Sequence, residues 1–257
     1  MSIKFIILGS GSSMGVPRAD GFSGNCDLKN KRNYRTRCSA LIKFYDDNIL
    51  IDTSPDLRQQ LLSNKIRSIS KVLYTHPHAD QTHGINDLRA FFFDNKKKIP
   101  VFADKETSKY LYSTFRYCFQ SSVSYPSTLK LNNLKKKHIF KNKNKKVLIE
   151  SIIVKHGKIN SICYLINKKL AYASDVSLFF KKDLKKLMDL EYLIVDCLWF
   201  KNHSSHYNLS QVLELIKVLK PKKTILTNMH TDLDYGILKK SLPKNIVPGF
   251  DGLTISL

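Results

Sequence analysis

The sequence is poor in cysteine, and the cysteines it has are far apart. There are five of them, Cys26, Cys38, Cys118, Cys163 and Cys197. An odd number of widely scattered cysteines does not fit the disulfide framework that stabilises many small secreted proteins. We therefore expect reduced thiols and, with them, a cytoplasmic location.

Long hydrophobic runs are also missing. Even the apolar segment 190–200 is interrupted by Glu191 and Asp196, whereas a membrane-spanning helix needs about 20 predominantly apolar residues in a row. The first residues do not show a charged stretch followed by an apolar core, which is the pattern of a secretory signal. The sequence predicts no membrane partner.

Acidic residues are scarce. The 21 aspartates and glutamates stand against 43 lysines and arginines, which gives a formal net charge of +22. Such an excess raises the affinity of a protein for the phosphates of nucleic acids. The excess is mostly lysine spread along the chain, however, so biased amino-acid usage is the simpler explanation. The basic surface favours anionic substrates without identifying one.

In other respects the composition is that of an ordinary globular protein, with 42% hydrophobic and 25% charged residues. A chain of 257 residues can form one large domain or two small ones. No stretch has the length and composition of a domain linker. We therefore expect residues 1–257 to form a single domain.

One short segment concentrates side chains that bind metal ions. Residues 75–84 contain His76, His78, Asp80 and His83, between a strand-like and a helix-like segment. Imidazoles and carboxylates are the groups that bind zinc, manganese or iron at neutral pH. In a loop at the end of a strand, the alternation His-x-His-x-Asp lets its ligands converge on a small volume. The segment therefore predicts a metal site.

Other candidate ligands follow strands that are predicted to be buried. His156 follows the strand at 147–154, Asp175 follows a hairpin, and His230 follows the strand at 224–227. Taken singly, a buried structural histidine or an aspartate in a turn would be unremarkable. Their common position just beyond strand ends favours one composite site along the rim of a sheet.

The early part of the chain offers candidates of other kinds. Residues 9–15 are glycine-rich, but the third glycine is one position late for a dinucleotide fingerprint, so NAD binding is not expected. Residues 29–37 are basic, and Arg35 or Arg37 could hold a substrate phosphate, although a solvated basic loop is the simpler explanation. Asp52, at a strand end, is a candidate to orient a metal-bound histidine.

Residue patterns predict strands and helices in alternation. The predicted helices begin at Ser54 or cover residues 104–118 and 209–219. The predicted strands cover residues 4–8, 39–44, 48–51, 99–102, 147–154, 161–166, 169–173, 192–195 and 224–227. Residues 121–146 show the least regular pattern and are expected to form exposed turns and hairpin ends.

Taken together, these segments resemble the metallo-β-lactamase-fold hydrolase superfamily. The resemblance rests on His76-x-His78-x-Asp80, His156-Gly157, Ser174-Asp175 and the histidine that follows Ile225-Leu226-Thr227. Residues 9–17, residues 84–89 and the closing Phe250-Asp251-Gly252 are similar to one branch of it, the phosphoribosyl cyclic phosphodiesterases of phosphonate breakdown. That branch is related to the tRNA 3′-processing nucleases.

The resemblance implies a fold class and a set of metal ligands. The implied fold is α/β (α+β), a four-layer αββα sandwich with two divalent metal ions, zinc and/or manganese, in a cleft at one sheet edge. The implied ligands are His76, His78 and His156 for the first ion, Asp80 for the second ion, and Asp175 bridging both. His206 matches a histidine that such phosphodiesterases place near the leaving group.

The sequence departs from the superfamily pattern at two positions that concern the second ion. Gln81 and Asn228 stand where the pattern has histidines, and His230 is the expected replacement, with His83 as the fallback. An amide oxygen is a weaker and harder ligand than imidazole. This half of the site should therefore favour manganese or magnesium over zinc, or be weakly occupied. Cys26 has no close cysteine neighbour, so the structural zinc that the branch often carries is not expected.

The resemblance predicts a metal-dependent phosphodiesterase that hydrolyses a small cyclic or nucleotide-like phosphodiester with a metal-activated water. Asp80 and His206 would be its catalytic residues, and His206 would protonate the departing alkoxide. The expected partner is a small anionic phosphodiester or nucleotide, and a homodimer is left open.

Two other functions remain in competition. The basic charge supports an RNA-processing nuclease, although the lysine-rich residues 135–146 are the sole candidate for an arm that grips tRNA. RNA is therefore a less favoured partner. An iron-dependent oxidoreductase, or a scaffold that merely binds a metal, is the third alternative, because a fold does not determine the chemistry it supports.

Overall fold

The computed structural model describes residues 3–123, 125–143 and 145–257. The strands within these ranges are β1 (Lys4–Gly9), β2 (Ser39–Phe44), β3 (Asp47–Ile51), β4 (Lys71–Leu73), β5 (Ile99–Ala103), β6 (Leu129–Asn133), β7 (Lys137–Asn142), β8 (Lys145–His156), β9 (Ile159–Ile166), β10 (Leu170–Ala173), β11 (Leu178–Phe179), β12 (Tyr192–Asp196), β13 (Lys223–Thr227), β14 (Ile246–Pro248) and β15 (Thr254–Ser256).

Short helices connect many of these strands. The α-helices are α1 (Leu57–Ser63), α2 (Ala79–Thr82), α3 (Arg89–Asn95), α4 (Lys105–Thr114), α5 (Arg116–Phe119), α6 (Lys181–Leu184), α7 (Leu209–Leu219) and α8 (Tyr235–Ser241). Single 3₁₀ turns form at Lys31–Asn33, Ile85–Leu88 and Lys185–Leu187. Among the helices that the structure describes, none is long and apolar enough to cross a bilayer.

The strands form two mixed sheets. The first has the order β15-β1-β2-β3-β4-β5-β6, and the second has the order β11-β8-β9-β10-β12-β13-β14, with β7 also paired to β8. Strands β10, β12 and β13 are parallel neighbours. Their carboxyl ends therefore lie side by side, at one edge of the second sheet.

Apolar side chains fill three layers. Phe5 and Ile7 of β1 pack between the sheets against Tyr172 of the second sheet, and Ile6 and Leu8 face the other way, in the layer that contains α1. A strand that is buried on both faces reads as an uninterrupted apolar run rather than as an alternation. Helix α7 covers the outer face of the second sheet. The two sheets with helices outside them confirm the predicted sandwich.

Two segment predictions were wrong. The helix expected to begin at Ser54 begins at Leu57, and the Ser54 hydroxyl instead accepts a hydrogen bond from the Asp56 N–H (3.2 Å). Residues 121–146 contain strands β6 and β7. In β7, His138 is buried and Phe140 half-buried between exposed neighbours. This is a strand alternation that the many lysines obscure.

The closing motif attaches the end of the chain to the glycine-rich loop 9–15. The Asp251 carboxylate accepts hydrogen bonds from the N–H and hydroxyl of Ser10 (3.0 and 2.9 Å) and from the N–H and hydroxyl of Thr36 (2.7 and 2.6 Å). Four donors compensate a carboxylate that is half-buried. The aspartate thereby fixes the loop whose next residues, Ser12 to Met14, reach the functional site.

Gly84 lies too close to a neighbouring backbone to carry a side chain. Its N–H donates to the Thr53 carbonyl (2.9 Å), and a Cβ atom at this position would lie 2.0 Å from the Ser54 carbonyl oxygen. We expect Gly84→Ala to force the two segments apart and to lower the free energy of unfolding by about 1–3 kcal/mol. Urea denaturation measures this loss, and an unchanged midpoint would contradict the close packing.

Candidate functional site

Three histidines converge where the two sheets meet. His76 and His78 follow β4, and His156 ends β8; one ring nitrogen from each lies within 4.8 Å of those of the other two. The Nε2 atom of His156 is 3.2 Å from Nδ1 of His78. His76 and His156 are buried, whereas His78 is exposed at the rim. We call these three side chains the histidine triad.

Hydrogen bonds fix the tautomers of the two buried histidines. The Thr75 hydroxyl donates to Asp52 (2.8 Å) and therefore accepts from Nδ1–H of His76 (3.0 Å). Nδ1–H of His156 donates to the Ser205 carbonyl (2.7 Å). Both Nε2 atoms are consequently unprotonated, and that of His76 is buried without any partner. A buried acceptor nitrogen that no protein donor approaches fits a metal ion.

The same burial keeps the histidine triad uncharged. It lowers the pKa of His76 to about 3 and also lowers the pKa of His78 and of His156. At neutral pH all three rings are in the neutral form, which is the form that binds metals. The sequence had suggested that Asp52 orients a metal-binding histidine directly. In the structure the Asp52 carboxylate acts through the Thr75 hydroxyl instead.

The hydrogen bond between Thr75 and His76 should contribute to metal affinity. Outer hydrogen-bond partners of metal-binding histidines contribute about 10–100-fold to metal affinity. We expect Thr75→Val to weaken zinc binding by a factor in this range, measured by competition with a chromophoric chelator. Thr231→Val is the matched control, because Thr231 makes the corresponding contact with His230 (3.2 Å) outside the triad. Equal losses in both variants would contradict the assignment.

Two carboxylates border the histidine triad. Asp175 follows β10, and one of its oxygens lies within 4.8 Å of ring nitrogens of both His156 and His206. Asp80, at the start of α2, accepts a hydrogen bond from Nε2 of Gln81 (3.2 Å). Burial and, after it, the charge of Asp175 raise the pKa of Asp80 to about 6. This carboxylate can thus exchange a proton near neutral pH.

His206 forms a buried pair with Asp196, the last residue of β12. Nδ1 of His206 is 2.6 Å from Oδ2 of Asp196, which is completely inaccessible to solvent. Burial opposes the charged form of His206, but Asp196 outweighs it and raises the pKa of His206 to about 9. Burial also raises the pKa of Asp196 to about 7. The Asp196 carboxylate thus favours the protonated form of His206.

Five of these side chains, those of His78, Asp80, His156, Asp175 and His206, line one cavity of about 360 Å³, a size that suits a small ligand. Its lining residues are Ser12, Ser13, Met14, His78, Asp80, His156, Asp175, Leu198, Trp199, His203, Ser205, His206, Asn228 and His230. Residues 47–229 match the family described as the Beta-lactamase superfamily domain. The chain belongs to this family. It is a metallo-β-lactamase-fold hydrolase, and the recognition made from its motifs is confirmed.

Several solved structures resemble the chain over nearly its full length. A diphosphatase of the PhnP family is 27% identical, with a TM-score of 0.89 that covers 100% of this chain and 98% of that one. Zinc-bound PqqB from Methylobacterium extorquens has a TM-score of 0.76 at 16% identity, covering 99% and 100% of the two chains. Human short-form tRNase Z has a TM-score of 0.69 at 14% identity, covering 98% of each chain.

A longer relative is known from its sequence. The chain is 30% identical over 257 residues to an octanoyltransferase of Porphyromonas gingivalis, which covers 98% of this chain but 51% of that protein. The chain thus spans about half the length of the curated relative it matches.

His230 lies in the cavity but apart from the histidine triad. Its ring packs on Trp199, with 5.0 Å between ring centroids, and its Nδ1 is 3.2 Å from the Thr231 hydroxyl. Among the described residues, the groups spaced to hold a metal do not include His230. Its role as a ligand stays a prediction. The fallback, His83, is exposed and packs against Phe115 (5.2 Å between centroids).

Neither arginine suggested for phosphate binding lines the cavity. Arg35 is 2% exposed, and its Nη2 donates to the Leu233 carbonyl (2.6 Å) and to Asn33 (3.0 Å). Arg37 forms an ion pair with Asp56 (3.0 Å). The phosphate-binding interpretation was therefore wrong for Arg35, which holds loop segments together. Arg37 already has a carboxylate partner.

Two residues of the site escaped sequence analysis. Asp196 was noted only as a charge that interrupts an apolar segment, although β12 lies between β10 and β13, whose ends carry Asp175 and Asn228. That strand order, had it been known, would have placed Asp196 at the site. Trp199, the single tryptophan, gave no pattern to interpret.

Proposed function

We propose that this chain is a metal-dependent phosphodiesterase that hydrolyses a small cyclic or nucleotide-like phosphodiester. The observation that carries the proposal is the His206–Asp196 pair beside the histidine triad (2.6 Å). A phosphodiester leaves behind an alkoxide, which is a poor leaving group and needs a proton. A histidine that holds its proton at neutral pH next to a metal-binding triad meets this requirement.

His76, His78 and His156 would hold a divalent ion. When bound, the ion would polarise a phosphoryl oxygen and lower the pKa of water. His206 donates through Nδ1 to Asp196, which leaves its Nε2–H as the donor for the departing oxygen. Such general-acid catalysis contributes about 10²–10⁴-fold. Asp80, with its pKa of about 6, accepts the proton of the attacking water.

The similarity to known proteins supports the phosphorus chemistry. The diphosphatase of the PhnP family is 27% identical over the whole chain, and a diphosphatase cleaves a phosphorus–oxygen bond. The cavity of about 360 Å³ is suited to a nucleotide-sized ligand rather than to a folded RNA. Trp199 offers an aromatic face against which a base could stack.

An RNA-processing nuclease is the second candidate, and one feature favours it. Residues 135–137 at the start of the β7–β8 hairpin, together with Lys182 and Lys186, line a basic cleft of about 660 Å³. A nuclease that grips tRNA there would lose affinity steeply with added salt. Gel-shift titration with a tRNA precursor at several salt concentrations tests this candidate.

A substrate panel tests the main proposal. It contains 2′,3′-cyclic nucleotides, phosphoribosyl cyclic phosphate and a bis-aryl phosphate, each assayed with zinc and with manganese. An octanoyl thioester belongs in the panel because of the octanoyltransferase relative. Turnover of a cyclic phosphodiester supports the proposal. Turnover of the thioester alone, or of precursor RNA alone, would refute it, and iron as the bound metal of purified protein would indicate oxidoreductase chemistry instead.

A further inference from the structure

We propose that this site holds one metal ion, on the histidine triad, and that the amides of Gln81 and Asn228 occupy the role of a second ion. The inference deepens the proposed function and rests on the same site. It concerns how many ions the chain binds, so its test does not depend on which substrate is turned over.

Gln81 lies between the two acidic side chains of the site. It is completely buried, and its Nε2 is 3.2 Å from Oδ2 of Asp80 and 3.4 Å from Oδ2 of Asp175. The nitrogen of an amide can only donate hydrogen bonds. Facing two carboxylates, the nitrogen is attracted and the amide oxygen would be repelled, which decides the orientation of the group. Gln81 thus presents its N–H donors to the two carboxylates that would otherwise hold a second ion.

Asn228 approaches the same carboxylate from the other side. It is 1% exposed, and its Nδ2 donates to the Ser174 carbonyl (2.9 Å) and to Oδ1 of Asp175 (3.1 Å). Its backbone has φ +59°, directly after β13, in the left-handed region where asparagine is enriched. The side chain is therefore fixed in place by its own backbone and by two acceptors.

The two halves of the site consequently differ. Each oxygen of Asp175 accepts one amide N–H, from Gln81 and from Asn228, so the buried carboxylate is compensated without a cation. In the histidine triad, by contrast, Nε2 of His76 has no partner at all. The triad thus leaves a metal-binding nitrogen without a partner, whereas both oxygens of Asp175 already have donors; in that second half the Oε1 atom of Gln81 is the buried atom without a partner.

His230 does not restore the second half. A second ion would need a nitrogen ligand close to Asp80 and Asp175, but His230 packs on Trp199 and directs Nδ1 to Thr231. His206 is the histidine that does lie near Asp175, and with His156 these side chains are also spaced to hold a metal. Its Nδ1 is bonded to Asp196 (2.6 Å), and we assign this ring to proton donation rather than to a second ion. With one ion, Asp80 and Asp175 are left to orient water and substrate. The expectation of two ions, which came from family resemblance, is thus replaced by one.

Native mass spectrometry of the folded chain, titrated with zinc and then dialysed, counts the ions directly. We expect one zinc per wild-type chain and two per chain in the double variant Gln81→His, Asn228→His. Histidine is tolerated at positive φ better than most residues, so the substitution at 228 suits the backbone. Should the double variant fail to fold, Gln81→His alone is titrated in the same way.

Each outcome of the zinc count either supports or overturns the proposal of a single ion. Two zinc ions on the wild-type chain would overturn the proposal. One zinc on the wild type and still one on a folded histidine variant would overturn the role given to the two amides. His78→Ala should bind none, which shows that the counted ion sits on the triad. An inactive chain that binds one zinc would count against the proposed substrate and leave the ion count intact.

Discussion

Asparagine in place of His206 is expected to lower kcat for a cyclic nucleotide by about 10²–10⁴-fold. Asparagine keeps a hydrogen bond towards Asp196 but cannot release a proton to the departing oxygen. The loss should fall on kcat rather than on KM, because the proton is needed only as the bond to the leaving oxygen breaks. Steady-state kinetics with a 2′,3′-cyclic nucleotide measures both constants.

The leaving group separates acid catalysis from a merely structural effect. A nitrophenolate departs without help, so His206→Asn should retain most of its activity on a bis-aryl phosphate. His203→Asn is the matched control, since His203 is the exposed neighbour whose ring centroid lies 5.1 Å from that of His206. Equal losses on both substrates would show that His206 shapes the site and does not protonate the leaving group.

Sequence reasoning found the site because strand ends are visible in a sequence. His156 ends an apolar, β-branched run, and Asp175 follows the apolar segment 170–173. Strands that run in the same direction in one sheet end at the same edge of it. Local pattern therefore sufficed to group His156 and Asp175 with the histidine segment 76–78, although they lie 80 and 99 positions after His76.

The sequence could not show which hydrogen-bond partners the polar side chains have in the folded protein. Arg35 looked like a solvent-exposed phosphate ligand because its neighbours are basic, yet its guanidinium bonds to the Leu233 carbonyl nearly 200 residues later. Asp251 stood in a recognisable motif, but its contacts with Ser10 and Thr36 depend on the pairing of β15 with β1. Such contacts follow from tertiary structure and leave no local signal.

The roles of the amides at 81 and 228 were visible from the sequence only in part. Their departure from the superfamily pattern was visible in the sequence, and so was its location on the second metal. Whether an amide offers its oxygen to a cation or its nitrogen to a carboxylate depends on what lies opposite. Only the structure shows that Asp175 faces both amides, and this changes their expected role from weak ligands to donors.

Removal of His78 is expected to abolish the stabilisation of the protein by zinc. An ion that binds only the folded chain stabilises it by about 2.7 kcal/mol at 100 times its Kd. For a chain of this size that corresponds to a rise in Tm of about 5–10 °C. We expect this rise in the wild type and little or none in His78→Ala, measured by thermal unfolding with and without zinc.

The choice of His78 and of its control makes the result interpretable. His78 is exposed, so its removal leaves no buried cavity and the zinc-free variant should unfold near the wild-type temperature. His83→Ala removes a second exposed histidine from the same segment, one bonded to the Thr82 hydroxyl (3.1 Å), and should keep the full zinc response. If zinc stabilised His78→Ala and not His83→Ala, the ion would sit on the helix side of the loop, and the histidine triad would not be the metal site.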